Sequence, residues 1–231
     1  MKIIYQSVAI VGSGAMGRGI AQMAAQAGSQ VYLFDAKHGA AQSAREEIGN
    51  QWQKLADKGR ISPEQLQQYQ SQLHVAESLT ELASCQLVIE AIVESLEAKR
   101  ALLRDLETVV DAECVLASNT SSLSITAIAA ACAHPGRVAG YHFFNPVPLM
   151  KVVEVIAGLA TAPRTCSALS DYARQMGHTP VAAQDTPGFI VNHAGRGYGT
   201  EALRIVSEGV ADFATIDRIL KDQVGFKLGP F

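Results

Sequence analysis

Two stretches of this chain combine residue types and spacings suited to chemistry. The first is Gly12-Ser13-Gly14-Ala15-Met16-Gly17, three glycines in six residues directly after the apolar run Ser7 to Val11. Gly12 permits a tight turn, Gly14 lets the backbone approach a pyrophosphate with no Cβ in the way, and Gly17 lets the following helix pack closely on the strand. A helix opening at Ala15 and Met16 adds unpaired N–H donors and partial positive charge for the phosphates. Asp35 closes the next apolar run, Gln30 to Phe34. A carboxylate there accepts from both hydroxyls of an adenosine ribose and repels a 2′-phosphate, so NAD is expected rather than NADP, with Lys37 weighing against. The second stretch is Tyr141-His142-Phe143-Phe144-Asn145-Pro146, followed by Glu154 on the run that begins at Val152. His142 is expected just past a strand end, where open α/β sheets bind ligands. A buried carboxylate beside an imidazole orients the ring and stabilises the imidazolium formed when it takes a proton, as a hydride-transferring enzyme requires to deprotonate an alcohol.

The elements that must hold these residues follow from periodicity. Strands are expected at Ser7 to Val11, Gln30 to Phe34, Leu87 to Ala91, Val115 to Ala117, Val138 to Tyr141 and Val152 to Ile156. Helical patterns begin at Met16 and cover 96–110, 124–133 and 164–176. Strands alternating with helices imply an α/β domain of the Rossmann type, a doubly wound and mostly parallel sheet covered on both faces. The polar segment from Gly39 to about Ser71, with Pro63 starting a new helix, reads as a helical hairpin inserted into the crossover. Ser121 follows the run Val115 to Ala117 and therefore also lies at a carboxyl end of the sheet, with Ser122 or Ser124 available to cap the next helix. After Asp185-Thr186-Pro187-Gly188 the pattern becomes helix only, so residues 1–186 are expected to form the nucleotide-binding domain and 187–231 the start of an all-helical second domain.

Composition narrows the partners. Hydrophobic residues make up 48% and charged residues 18%, enough for a sizeable core without a signature of disorder. A net charge of −3 without a long Lys/Arg run provides no electrostatic footprint for nucleic acid or an anionic membrane, so small molecules are the expected partners. The apolar stretch around Ile125 to Ala133 is far shorter than the roughly 18 residues of a membrane span. The run Met1 to Tyr5 breaks at Gln6-Ser7 without a signal-peptide cleavage site, and a cytoplasmic location is expected. Cys85, Cys114, Cys132 and Cys166 form neither a CxxC pair nor a metal-ligand spacing with the histidines; they read as core thiols, and no metal is expected.

VGSGAMGRGIAQ, LVIEAIVESLEAKR, SNTSSLSI, GYHFFNPVPLMKVVEVI and TPGFIVNH together resemble the L-3-hydroxyacyl-CoA dehydrogenases of fatty-acid β-oxidation and related pathways. The resemblance implies oxidation of the 3-hydroxyl of a (3S)-hydroxyacyl-CoA to a ketone, with hydride passing to NAD. It assigns His142 as general base and Glu154 as its partner, with Ser121 and Asn192 hydrogen-bonding the substrate's 3-oxygen. Asp35, Glu94, Lys99, Ser121 and Asn145 match positions that contact NAD in the family. The stretch Ala194 to Ala202 leans toward the branch that handles 3-hydroxyadipyl-CoA in phenylacetate breakdown, with 3-hydroxybutyryl-CoA an equal alternative. Lys54 and Lys58 of the inserted hairpin are candidates for the CoA phosphates. Two other readings remain: a crystallin-like relative that keeps the nucleotide site without catalysis, disfavoured by the joint presence of Ser121, His142, Glu154 and Asn192, and a Rossmann β-hydroxyacid dehydrogenase with lysine for histidine, disfavoured by His142-Phe143-Phe144-Asn145-Pro146. The chain departs from the family pattern at His193, where arginine is usual, and at Lys227-Leu228, where proline and methionine often stand. Relatives continue past Gly229-Pro230-Phe231 into helices that complete the second domain and carry a homodimer contact. The resemblance therefore implies an incomplete helical domain here, and weak turnover.

Overall fold

A computed structural model describes residues 3–231. In chain order the elements are β1 (Ser7–Val11), α1 (Ala15–Gln26), β2 (Gln30–Phe34), α2 (Ala40–Asp57), α3 (Pro63–Ser71), β3 (Leu73–Val75), β4 (Leu87–Glu90), α4 (Leu96–Glu107), β5 (Val115–Ser118), α5 (Ile125–Ala129), β6 (Val138–Phe143), β7 (Val152–Ala157), α6 (Pro163–Gln175), β8 (Thr179–Gln184), α7 (Val191–Ser207) and α8 (Phe213–Asp222). The eight strands form one sheet in the order β3-β2-β1-β4-β5-β6-β7-β8. Every neighbouring pair is parallel except β6 and β7. This is the Rossmann-type doubly wound order, whose direction of progression reverses between β1 and β4; ligands bind outside the carboxyl ends of the strands at that reversal.

Local sequence explains most of these elements. β4 and β5 are buried along their whole length, as strands covered by helices on both faces must be, and their sequences are accordingly apolar until a polar last residue. In α2 the buried residues Ala41, Ala44, Ile48 and Trp52 recur every three or four positions and form the stripe that faces the core. Trp52 lies 5.6 Å from the ring of Tyr69, which ties α2 to α3 and closes the inserted hairpin. α3 starts where Ser62 and Gln65 form a capping box ahead of Pro63.

Three features differ from the expectations. β3 and β8 were not anticipated: β3 is only three residues long, and β8 contains Pro180, which a strand tolerates at the edge of a sheet. β6 runs two residues further than its apolar pattern indicates, because β7 pairs with it antiparallel through Phe143. His142 therefore lies within β6, one residue from its end, and not just beyond it.

The chain divides into two compact units, one ending at Thr186 and the other running from Pro187 to Phe231. The second contains α7 and α8. Asp212 caps α8 by accepting from the Thr215 N–H at 2.7 Å, and the rings of Phe213 and Phe231 meet edge to face. Among the described residues no helix is long and apolar enough to cross a membrane.

Candidate active site

In the antiparallel register of β6 and β7, His142 stands directly opposite Glu154. Directly opposed residues project from the same face of a sheet, so pairing alone brings the two side chains together. Nδ1 of His142 lies 2.7 Å from Oε2 of Glu154. Glu154 is fully buried and His142 is 5% exposed. A carboxylate accepting from Nδ1–H fixes the tautomer in which Nε2 carries the lone pair, the form a general base needs. Phe144 packs against the imidazole, with ring centroids 4.5 Å apart, and the Phe143 N–H donates to Asn119 Oδ1 at 2.9 Å, which anchors the end of β6 to the loop after β5.

The loop after β5 also carries Ser121. Its N–H donates to Glu94 Oε1 at 2.9 Å, and the same oxygen accepts from the Thr120 hydroxyl at 2.6 Å. Burial alone would raise the Glu94 carboxyl; donation from Thr120, Ser121 and the Lys99 ammonium outweighs it and holds the group below the ordinary carboxylate range. Lys99 differs from expectation. A lysine on the first turns of a helix reads as a solvated charge, and the family pattern places it against NAD, yet the residue is 1% exposed. Its ammonium is enclosed between Glu90 Oε1 at 2.5 Å and Glu94 Oε2 at 3.3 Å. Glu90, equally buried, was not singled out from the sequence. The available signal was a carboxylate ending an otherwise apolar run in the middle of a parallel sheet, where an ionised group must be paired.

The glycine loop is built as its spacing requires. Gly12 has φ +99°, and a Cβ there would stand 2.5 Å from the carbonyl oxygen of Ala91 in the loop after β4. A Cβ on Gly17 would overlap the carbonyl oxygen of Gly12. Gly14 has nothing within 4 Å of where its Cβ would be. It is also the N-cap of α1 and supplies no capping side chain, so the N–H groups of the first turn, from Ala15 and Met16 onward, receive no side-chain cap from it, as an anion site at a helix N-terminus requires. Asp35 stands beside the loop: the Ser13 N–H and hydroxyl donate to its Oδ2 at 2.8 and 2.7 Å, and the Lys37 N–H donates to Oδ1 at 2.9 Å. Partial burial pushes this carboxyl up, but the Ser13 and Lys37 donors and the Lys37 charge bring it below the ordinary value. A carboxylate has about four lone-pair sites, so these three donors leave it able to accept from a ribose.

Two cavities flank the loop. One, of about 440 Å³, is lined by Ser13, Gly14, Asp35, Lys37 and His38 and has the size and groups for an adenosine and its phosphates. The other, of about 470 Å³, lies between α1, α2 and the loop after β6; Ala15, Gln51, Lys54, Asn145, Val147 and Leu149 line it. Lys54 thus faces a cavity, whereas Lys58 stands exposed just past the end of α2 and lines none of those described. Asn192 lies in the first turn of α7, in the second unit.

A doubly wound sheet with a glycine-rich turn at its reversal and an acid after β2 defines a dinucleotide-binding domain. The model of the 3-hydroxyacyl-CoA dehydrogenase NAD binding domain matches residues 7–186, and that of the 3-hydroxyacyl-CoA dehydrogenase C-terminal domain matches 188–231. The chain belongs to the 3-hydroxyacyl-CoA dehydrogenase family, and NAD is the cofactor of its first domain. It is 44% identical to the 3-hydroxyadipyl-CoA dehydrogenase of Escherichia coli K12 over 230 residues, all of this chain and 48% of that protein. It is 40% identical to a probable 3-hydroxybutyryl-CoA dehydrogenase of Deinococcus radiodurans, covering 96% of this chain and 79% of that one. The crystal structure of an Escherichia coli K12 3-hydroxybutyryl-CoA dehydrogenase superposes with a TM-score of 0.94 at 44% identity, over 98% of this chain and 48% of that one. The chain therefore spans about half the length of the Escherichia coli relatives it matches.

Proposed function

We propose that the protein oxidises the 3-hydroxyl of a (3S)-hydroxyacyl-CoA to the 3-ketone, with His142 as the general base. The observation that carries this reading is the buried contact of 2.7 Å between His142 Nδ1 and the Glu154 carboxylate; with the proton on Nδ1, Nε2 is the basic nitrogen. NAD, when bound, supplies the hydride acceptor. The chain's own residues do the rest. As C3 gives up its hydrogen with the bonding pair, the hydroxyl proton passes to Nε2 of His142 and the C=O bond forms. The Glu154 carboxylate stabilises the resulting imidazolium. In the reverse direction the imidazolium returns that proton to the alkoxide. Ser121, held by Glu94, orients the substrate's 3-oxygen. Asp35 takes the adenosine ribose and Gly12 to Gly17 the pyrophosphate, and Glu94, Lys99, Ser121 and Asn145 are the other candidate NAD contacts.

The 470 Å³ cavity, with apolar Leu55, Val147 and Leu149 beside polar Gln51 and Lys54, suits a pantetheine arm followed by phosphates. The names of the relatives favour a short acyl group, 3-hydroxyadipyl or 3-hydroxybutyryl. The test is to mix the protein with NADH and acetoacetyl-CoA and to follow NADH absorbance. Consumption that depends on both partners is the expected result; NADH binding without any consumption would refute the catalytic reading and favour a non-catalytic relative.

A further inference from the structure

Arg18 stands near the start of α1, has no part in the chemistry derived above, and lines both cavities beside the glycine loop. Its Nη1 lies 3.0 Å from Oε2 of Glu47 on α2, with the two side chains 33% and 52% exposed. An ion pair this exposed contributes little to stability, so packing of the two helices gives only a weak reason for the charge. The contact engages Nη1, and a guanidinium carries further N–H donors in a planar fork suited to phosphate oxygens. The fold sets this side chain in a wall. Gly19, next in the chain, lies so close to the loop after β6 that a Cβ there would stand 2.8 Å from the Cβ of Val147. That approach closes one side of the 470 Å³ cavity, which Arg18 lines from α1 while Gln51 and Lys54 line it from α2.

The charges around the two cavities differ. Two cations, Arg18 and Lys54, line the 470 Å³ cavity, and among the described residues no carboxylate does. The 440 Å³ cavity also includes Arg18, with Lys37, but sets Asp35 and Glu47 against them. In a chain whose net charge is −3, two uncompensated cations in one concave site draw anions to that site. We propose that Arg18 is a phosphate-binding residue of the substrate site: together with Lys54 it takes the phosphates at the nucleotide end of the CoA thioester. Glu47 competes with those phosphates for the guanidinium and so sets the affinity. The proposal rests on the reading of the substrate as a CoA thioester, given above. The pyrophosphate of the dinucleotide is another source of the same chemistry, and the charge balance of the two cavities favours CoA.

Binding calorimetry on the full chain tests it, with acetoacetyl-CoA, acetoacetyl-pantetheine, which lacks the phosphates, and NADH as the three probes. Loss of a hydrogen bond between charged partners is worth about tenfold in affinity. Arg18→Met should therefore bind acetoacetyl-CoA about tenfold more weakly, with a shallower salt dependence, and should leave acetoacetyl-pantetheine and NADH within about twofold of the unmutated chain. Arg18→Lys keeps the charge and should recover part of the loss. Glu47→Gln should act the opposite way and tighten acetoacetyl-CoA by about two- to fivefold, the scale of an exposed ion pair. Combined with Arg18→Met it should add nothing, because Glu47 acts through Arg18. Equal losses for the thioester with and without phosphates would make Arg18 a packing residue, and a loss confined to NADH would assign it to the dinucleotide; either result overturns the proposal. So would unchanged acetoacetyl-CoA affinity in both single variants, which would leave a helix–helix ion pair, or no acetoacetyl-CoA binding by the unmutated chain. Thermal melting checks folding, and should Arg18→Met fail to fold, the gain expected of Glu47→Gln decides alone. Because binding is read without turnover, a chain that binds the thioester through Arg18 but does not reduce it would refute the role of His142 and not that of Arg18.

Discussion

Gly12, Gly14 and Gly17 belong to one motif but are glycine for three different physical reasons, and alanine at each should give a different result. At Gly17 the new methyl would overlap the Gly12 carbonyl oxygen, a backbone atom that cannot swing aside. Overpacking of this kind costs about 1–3 kcal/mol, and for a domain of this size each kcal/mol lowers Tm by roughly 2–4 °C, so Gly17→Ala should melt about 2–12 °C lower. At Gly12 the strain of φ +99° adds to a contact of 2.5 Å with Ala91, and the loss should be at least as large. At Gly14, φ is −65° and the space is open, so the methyl meets no protein atom. Reduced freedom of the unfolded chain favours Gly14→Ala and a poorer N-cap disfavours it, leaving stability within about 1 kcal/mol of the original. The same methyl stands where a pyrophosphate must approach the backbone. NADH affinity should fall by about tenfold or more, equivalent to about 1.4 kcal/mol. Thermal melting and NADH fluorescence titration on the three variants separate these outcomes. A Gly14→Ala protein with unchanged NADH affinity would show that the pyrophosphate does not lie against residue 14, and would refute the assignment of the loop.

Replacement of His142 by Gln should reduce turnover by roughly 10²- to 10⁴-fold while leaving NADH affinity nearly unchanged, and Glu154→Gln should act in the same direction; normal turnover in His142→Gln would make the imidazole structural. Asp185 caps the start of α5 by accepting from the Ser124 hydroxyl and from the N–H groups of Ile125 and Thr126. Burial raises its carboxyl, but the Thr126, Ser124 and Ile125 donors hold it below its ordinary value, as donors do for Asp35 and Glu94. The unfolded chain binds protons at these carboxylates first, so their contribution is present above about pH 4 and is lost as pH falls through the lower folded values. Melting curves from pH 7 down to pH 3 should show that acid loss, and Asp185→Asn should make it shallower; an unchanged slope would refute the cap's role. His178 is buried, and desolvation draws its imidazole below the ordinary value against the opposing pull of the Val147 and Met176 carbonyls. A histidine depressed in this way contributes stability above about pH 6.5 that is lost as pH falls through its folded value, so His178→Phe should flatten melting temperature between pH 7 and pH 5.

The nucleotide half of the site was legible because its determinants are local. A glycine that must adopt φ +99°, a glycine under a carbonyl and an acid closing a strand are each specified by a few neighbouring residues, and the alternation of strand and helix patterns around them leads to the doubly wound sheet. The inserted hairpin was readable for the same reason, from the stripe of α2 and the cap at Ser62. The proton-transfer pair was legible in composition but not in geometry. His142 and Glu154 are visible as residue types, whereas their contact depends on β7 pairing antiparallel to β6 in one register, and a slip of a single residue would send the two side chains to opposite faces. Burial was the least readable quantity. Lys99 has the sequence neighbourhood of an exposed helix charge, and only the packing of α4 against the sheet encloses it between Glu90 and Glu94. Asp35 likewise reads as a bare ribose acceptor until the fold brings the Ser13 and Lys37 donors onto it. Chain-local dihedral and helix preferences are written in adjacent residues, so the sequence alone determined the glycine turn, the acid that follows β2 and the order of elements. Strand register and desolvation arise from groups far apart in the chain, so only the tertiary structure decided the antiparallel register that sets Glu154 against His142, and which lysine lies inside the protein instead of at its surface.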